Sequence, residues 1–247
     1  MYSLLVAFTH FLNGLFGGVI TSVLLKLGIH PAHPAAPIRS ALALEIFVAL
    51  VLLLFFVLVR LTLSVEKPRS PQHLAEMIHE FVDGQAEAIF GGHHGYDAHL
   101  PFVTTILLFV LLCNCLGLLP HILTPTSDPV VPLGIAILTF IYYNVHGVLK
   151  QGPIGYLKHF MGPMWWLAPL MFPIEIISHL ARIMSLTVRL YANMFASDLL
   201  TLVFFSLIPI GIPVVFLGLH FGVALIQAYV FMLLAMIYLA EATAQEH

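Results

Sequence analysis

Ala41–Leu63 runs for 23 residues with only two charged groups, Glu45 and Arg60, one toward each end. About 20 apolar residues are needed to cross ~30 Å of hydrocarbon, because an α-helix rises ~1.5 Å per residue. Within lipid, every peptide N–H and C=O must find its partner inside the protein, which selects helices. Four more stretches meet the same test: Phe102–Leu119, Val131–Leu149, Ile174–Ile208 and Val214–Ala244. Pro120 closes the second span, prolines 125, 129 and 132 open the third, and Pro173, Pro209 and Pro213 punctuate the last two. Charged residues make up 9% of the chain, against roughly 25% in a soluble domain. The expected fold is therefore all-α, a multi-pass protein of five transmembrane helices forming a single membrane domain over residues 1–247.

The outer part of that domain, residues 1–40, is apolar over Met1–Leu27 but has no Lys or Arg ahead of its hydrophobic stretch. It is read as retained rather than as a leader. His10, Asn13, Gly14, Gly17 and Gly18 interrupt it, which suits an interfacial helix better than a span. Residues 41–65 hold the first span. In 71–90, Leu74, Met77, Ile78, Phe81 and Val82 recur at helical spacing, while Glu76, Glu80, Asp83 and Glu87 take the other side. That pattern predicts an amphipathic helix on the membrane surface. Two spans follow in 101–149. Arg60, Lys67, Arg69, Lys150 and Lys158 belong to one side of the membrane, against Lys26 and Arg39 on the other. Basic residues favour the cytoplasmic side, so the N-terminus is expected outside and the C-terminus inside.

The last two spans are too long to stand upright. Ile174–Ile208 has 35 residues without proline, about 50 Å as a helix. A strongly tilted antiparallel hairpin over 168–247, turning at Leu207–Pro213, accommodates this length. Its first helix carries Glu175, Ser178, Arg182, Ser185, Arg189, Asn193 and Ser197 at steps of three and four, hence on one face. Asp198 is turned away from Arg189 by about 180°. On the second helix His220, Gln227 and Glu241 share a face. The pairs Asp198/His220, Arg189/Gln227 and Glu175/Glu241 all centre near Pro209, which gives three polar layers from the outer face to the cytoplasm.

An arginine at the centre of a span costs at least ~2.5–3.5 kcal/mol on insertion scales. Static ion pairs such as Glu175 with Arg182 would not require a polar ladder across the bilayer, whereas an ion path with a fixed charge in the middle would. A guanidinium suits the middle because it keeps its charge where an ammonium would lose its proton. It cannot relay a proton, but it favours the ionised form of a passing carboxyl group.

Ser178–Leu200, SHLARIMSLTVRLYANMFASDLL, and Leu219–Ala242, LHFGVALIQAYVFMLLAMIYLAEA, with a terminal EH, resemble the subunit a family of the F-type ATP synthase membrane sector. NCLGLLP at Asn114–Pro120 and the order of spans extend the likeness over most of the chain. The resemblance implies a stator in the energy-coupling inner membrane, partnered by a ring of c subunits, by peripheral-stalk b subunits and, through the stalk, by the catalytic head. It implies Arg189 as the essential arginine facing the ring, with Gln227 beside it. Asp198 and His220, with Asn193 nearby, would line the outer half-channel; Glu175, Ser178 and Arg182 would line the inner one, with Glu241 in the same cytoplasmic layer. Members often carry Asp where this chain has Gly117, and many have Glu where it has Asp198. His179 either adds a proton-carrying group or packs at a polar helix face.

Other clusters carry less. Cys113 and Cys115 sit in an apolar run and diverge by about 200° on a helix, so they read as inert. His93, His94, Asp97 and His99 fall in a glycine-rich stretch read as a solvated loop rather than a zinc site, as are His30 and His33. The nine basic residues form no phosphate-binding run, so nucleic acid is not an expected partner. No hydrolase or Walker-type motif occurs, and no cofactor or metal is expected. A stand-alone ion-coupled transporter is the alternative reading, but it would show related halves and broken helices at the midplane.

Overall fold

The computed structural model describes residues 2–26, 39–63, 70–91, 96–119, 124–152, 155–156, 168–207 and 211–243. The expectations for Lys67, Arg69, His93, His94, Pro120, Lys158 and Pro209 fall outside them. All five expected spans are helices: α2 (Ser40–Leu61), α4 (Leu100–Leu116), α5 (Val130–Gln151), α6 (Ala168–Leu207) and α7 (Ile212–Thr243). Each is long and apolar enough to cross a membrane, the second when the 3-10 turn Asp97–His99 leading into it is included. Two further helices, α1 (Tyr2–Lys26) and α3 (Ser70–Phe90), complete the order, and no strand occurs among the described residues.

In lipid, helices gain little by hiding from solvent and associate where their surfaces fit closely. α7 is the centre of this bundle. Ala224, Gln227, Ala228, Phe231, Met232, Ala235, Met236 and Leu239 are all buried along it, at alternating steps of three and one. Small residues let neighbours approach. A Cβ added at Gly147 on α5 would lie 3.0 Å from the Ala242 carbonyl oxygen and 2.7 Å from the Tyr156 ring. α4, α5 and α6 pack against α7 through Val110, Ala136, Leu190 and Met194, each fully buried. α3 joins the same core by Val82 and Ala86, and Tyr229 of α7 donates to Gln85 Oε1 at 3.0 Å. Leu74, Met77 and Phe81 stay exposed on α3, the apolar face of an amphipathic helix. α1 is continuous through the glycines read as interruptions, and it meets α2 through Leu12 against Ala43 and Phe8 against Phe47.

α6 starts earlier than the sequence suggested. Pro173, expected as its boundary, lies inside the helix at its sixth residue. There the missing N–H costs one bond near the N-terminus, a loss that apolar helices commonly absorb. The 40 residues of α6 extend about 60 Å, twice the hydrocarbon thickness, so the helix must tilt or emerge. Pro213 is the second residue of α7, where no intrahelical partner is lost. Gly211 precedes it at φ +91°, a left-handed conformation that other residues resist.

Close approach at Gly147 gives a direct test. Gly147→Ala should lower the unfolding temperature of the detergent-solubilised chain, with an overpacking cost of about 1–3 kcal/mol. Gly134→Ala, on the same helix with nothing within 4 Å of the added carbon, should be neutral or stabilising. Equal effects of the two would refute the close α5–α7 contact.

Candidate functional site

Helical geometry divides α6 into three faces. Leu186, Leu190, Met194 and Ser197 are buried in the seam against the bundle. Ile177, Leu180, Met184, Val188, Phe195 and Leu202 form an exposed face of large apolar groups. Between the two runs a stripe of Ser185, Arg189, Ala192, Asn193 and Ala196, small except for the arginine and left largely uncovered. α6 is accordingly the least buried of the five spans.

The outer layer forms around Asp198 and His220, the pair expected from sequence. Their closest atoms, Oδ1 and Nδ1, are 3.6 Å apart, and both side chains are more than nine-tenths buried. Thr124 anchors the carboxylate twice, its backbone N–H donating to Oδ2 at 3.1 Å and its hydroxyl to Oδ1 at 2.8 Å. His220 Nε2 is 3.1 Å from the Asn114 carbonyl oxygen, and Nδ1 is 2.8 Å from Ser197 Oγ. A carbonyl can only accept, so this network places the proton of the neutral ring on Nε2 and lets Nδ1 accept from Ser197. Nδ1 is then the nitrogen free to gain a proton, with Asp198 beside it. Thr126 donates to Asn114 Oδ1 at 2.6 Å, while Asn114 Nδ2 is buried without a partner among the described residues. Gly117 is required here, because a Cβ would collide with Thr124 Oγ1 and approach His220 Nε2 to 2.9 Å. An aspartate at that position would not fit this arrangement.

Deeper in the hairpin the expected Arg189/Gln227 pairing is replaced by Asn193, whose Nδ2 donates to Gln227 Oε1 at 2.9 Å. Arg189 donates from Nη2 to Ser185 Oγ at 3.3 Å and makes no ion pair among the described residues. Arg182 is the contrast: its Nη2 is 2.8 Å from Glu241 Oε1, and its guanidinium lies 4.9 Å over the Tyr238 ring. Glu241 therefore meets Arg182, while Glu175 lines the same cleft. Glu175 Oε1 is instead 3.4 Å from His179 Nε2, one turn along α6. Ser178 is half-buried on the same stripe. Tyr156, Glu175, His179, Arg182 and Glu241 line one narrow cleft.

The partners shift because of the direction in which helical side chains lean. Each Cβ tilts toward its own N-terminus, so α6 side chains reach away from the turn and α7 side chains toward it. Ser197 and His220 centre on 208.5, Asn193 and Gln227 on 210, and Arg182 and Glu241 on 211.5. Longer α6 side chains thus find partners further from the turn. Sequence spacing missed Thr124, Thr126, Tyr143 and Tyr156, which come from other elements. Only the uncharged TPTS stretch carried a hint of the first two.

Elsewhere, His99 Nδ1 is 3.0 Å from the Tyr142 hydroxyl and its ring is 4.8 Å from that of His146. No group of three or more His, Cys, Asp or Glu among the described residues is arranged to hold a metal ion. Cys113 is buried beside Val48 and Leu52, a packing position.

Thr126→Val should leave Asn114 with no partner on either amide atom, at a cost of about 1–3 kcal/mol. It should appear as a lower unfolding temperature in detergent; an unchanged temperature would show that the Thr126 bond contributes nothing net.

A family model describing the ATP synthase A chain matches residues 42–240. The chain is 52% identical over 240 residues to ATP synthase subunit a of Koribacter versatilis, covering 97% of each. It is 44% identical over 218 residues to ATP synthase subunit a of Solibacter usitatus, covering 87% of this chain and 92% of the relative. Against the subunit a of Bdellovibrio bacteriovorus it is 41% identical over 172 residues, 70% of this chain and 74% of the other. Polar layers on a long helix hairpin, a family match spanning four fifths of the sequence and near-full-length relatives together establish that this chain belongs to the ATP synthase A chain family.

Proposed function

We propose that this chain is the stator of an ATP synthase membrane sector, passing protons to and from a rotating ring through two half-channels separated by Arg189. The observation that carries this reading is the contrast between the two arginines of α6. Arg182 has a carboxylate partner at 2.8 Å, whereas among the described residues Arg189 has only the Ser185 hydroxyl, on an uncovered stripe of small residues. A charge without a counter-ion is expensive in lipid, so its partner must come from outside the chain. A carboxyl group on a ring of c subunits, brought past the stripe by rotation, supplies it. Ala192 and Ala196 allow the close approach that such sliding requires.

Chemistry follows from the layers. A proton reaches His220 Nδ1 or Asp198 from the outer side, and Asn114 Nδ2, without a partner among the described residues, supports water at this depth. The ring carboxylate takes it up and carries it round. On return the ring carboxyl meets Arg189, whose positive charge favours ionisation, and the proton leaves through the Ser178, Arg182, Glu175 and Glu241 layer. Asn193 and Gln227, bonded at 2.9 Å, hold the surface beside Arg189. Asp198 and Arg189 face about 180° apart on α6, so the carboxylate of the outer layer and the central charge lie on different sides of one helix. This geometry supports offset rather than continuous channels. In this arrangement the N-terminus is outside and the C-terminus cytoplasmic. α3 lies on the cytoplasmic surface, and peripheral-stalk b subunits join the chain to the catalytic head. A stand-alone transporter is not favoured, since the relatives are named as subunits.

Arg189→Ala should abolish coupled ATP synthesis and open a passive proton leak through assembled membrane sectors. Arg189→Lys should also fail, because an ammonium is a poorer fixed charge when desolvated. The measurements are ATP synthesis and proton flux in vesicles containing complexes of verified assembly. Near-normal coupled synthesis with either variant would refute the role given to Arg189.

A further inference from the structure

The outer and inner layers share a construction that the sequence did not show. In the outer layer an imidazole, His220, has a carboxylate oxygen at 3.6 Å and a hydroxyl at 2.8 Å. In the inner layer His179 has Glu175 Oε1 at 3.4 Å from Nε2, and its Nδ1 lies 2.9 Å from the Tyr143 hydroxyl. Tyr143 comes from α5 and is itself buried, with its ring stacked at 5.9 Å on that of His179. Phe140 closes the other side edge-on at 5.9 Å. A histidine held only by packing would need neither a carboxylate at one nitrogen nor a hydroxyl at the other.

We infer that His179 is a proton-carrying residue of the inner half-channel, exchanging its proton with Glu175 and held in place by Tyr143. This rests on the stator reading above and adds a residue and a pH dependence to it. A ring nitrogen and a carboxylate oxygen at this separation attract only with a proton between them. The exchangeable proton is therefore the one shared by Nε2 and Oε1. An N–H or O–H bond forms there as a proton released by the ring arrives, and that bond breaks when water takes it. Glu175 is about one-third exposed and provides the open side, while His179 is almost wholly covered. With exchange at Nε2, Nδ1 keeps its hydrogen and donates it to the Tyr143 hydroxyl oxygen in both charge states of the ring. The charged and titratable groups around the ring are Glu175 and Arg182 on α6, Tyr143 on α5, Tyr238 and Glu241 on α7, and Tyr156 in the cleft. Histidine exchanges protons between about pH 5 and 8, whereas a carboxylate alone holds one only in more acidic solution.

The sign of the effect follows. In ATP-driven pumping the inner half-channel must gather protons from the cytoplasmic side. Without the imidazole, the carboxylates of Glu175 and Glu241 must do so, and pumping should fail at a lower cytoplasmic pH. The experiment measures pumping rate against cytoplasmic-side pH in vesicles bearing assembled complexes with His179→Gln or Tyr143→Phe, beside unaltered and Arg189→Ala complexes. His179→Gln keeps an amide able to bond both neighbours, so packing is preserved. It should move the profile to the acid side and reduce the rate several-fold near neutrality. Tyr143→Phe should move it the same way by less, as expected of a positioning residue. An unmoved profile, whether the rate is normal or uniformly lowered, would overturn the inference and leave His179 as packing. Arg189→Ala tests the underlying reading separately, since retained pumping there would reject the stator mechanism whatever His179 does.

Discussion

A guanidinium that cannot shed its charge, set midway along a membrane helix with no carboxylate among the described residues beside it, is the constraint around which the hairpin is organised. The bilayer penalises that arrangement by several kcal/mol. The chain has a ready remedy in Glu175 and Glu241, yet it applies that remedy to Arg182 at 2.8 Å and leaves Arg189 with a serine. A folded protein keeps such an unpaired group where something else completes it. The small residues around Arg189 and the low burial of α6 belong to the same logic. The helix presents one finished face to the bundle and one unfinished face outward.

α6 and α7 make the rest possible by being long. Polar groups spaced over 23 residues, from Glu175 to Asp198, cover about 35 Å, so both pockets and the charge between them fit on one rigid element. α7 fixes the depth of each layer, with His220 and Gln227 buried in its seam. α4 and the following 3-10 turn, Pro125–Ser127, seal the outer pocket through Asn114, Thr124 and Thr126. α5 seals the inner one through Tyr143. Gly117 shows how closely the outer pocket is fitted, since a single added carbon would strike the hydroxyl that holds Asp198.

Much of this was legible from periodicity. Long, predominantly apolar runs located all five spans, because the thickness of lipid leaves little freedom. The stripe at steps of three and four put the polar residues of α6 on one side, and index pairing brought Asp198 to His220. Direct partners shift by a few residues within these layers where side chains are long. Glu241 meets Arg182 rather than Glu175, because side chains on antiparallel helices lean in opposite directions relative to the turn. Pro173 was expected to bound the start of α6 and instead lies inside it, since the cost of proline near an N-terminus is small beside the packing of 40 residues. Thr124 and Tyr143 were invisible because their partners lie 74 and 36 residues away, on elements that only the fold brings together.

The central claim is that water reaches the two polar layers from opposite sides and does not pass between them. Single cysteines at Ser178 and Ser197, in a chain with Cys113 and Cys115 replaced by serine, report this directly through labelling with a membrane-impermeant reagent. Assembled complexes in vesicles of known orientation should be modified at position 178 only from the cytoplasmic side and at position 197 only from the outer side. Modification of either position from both sides would reveal one continuous channel and contradict a mechanism in which Arg189 separates two.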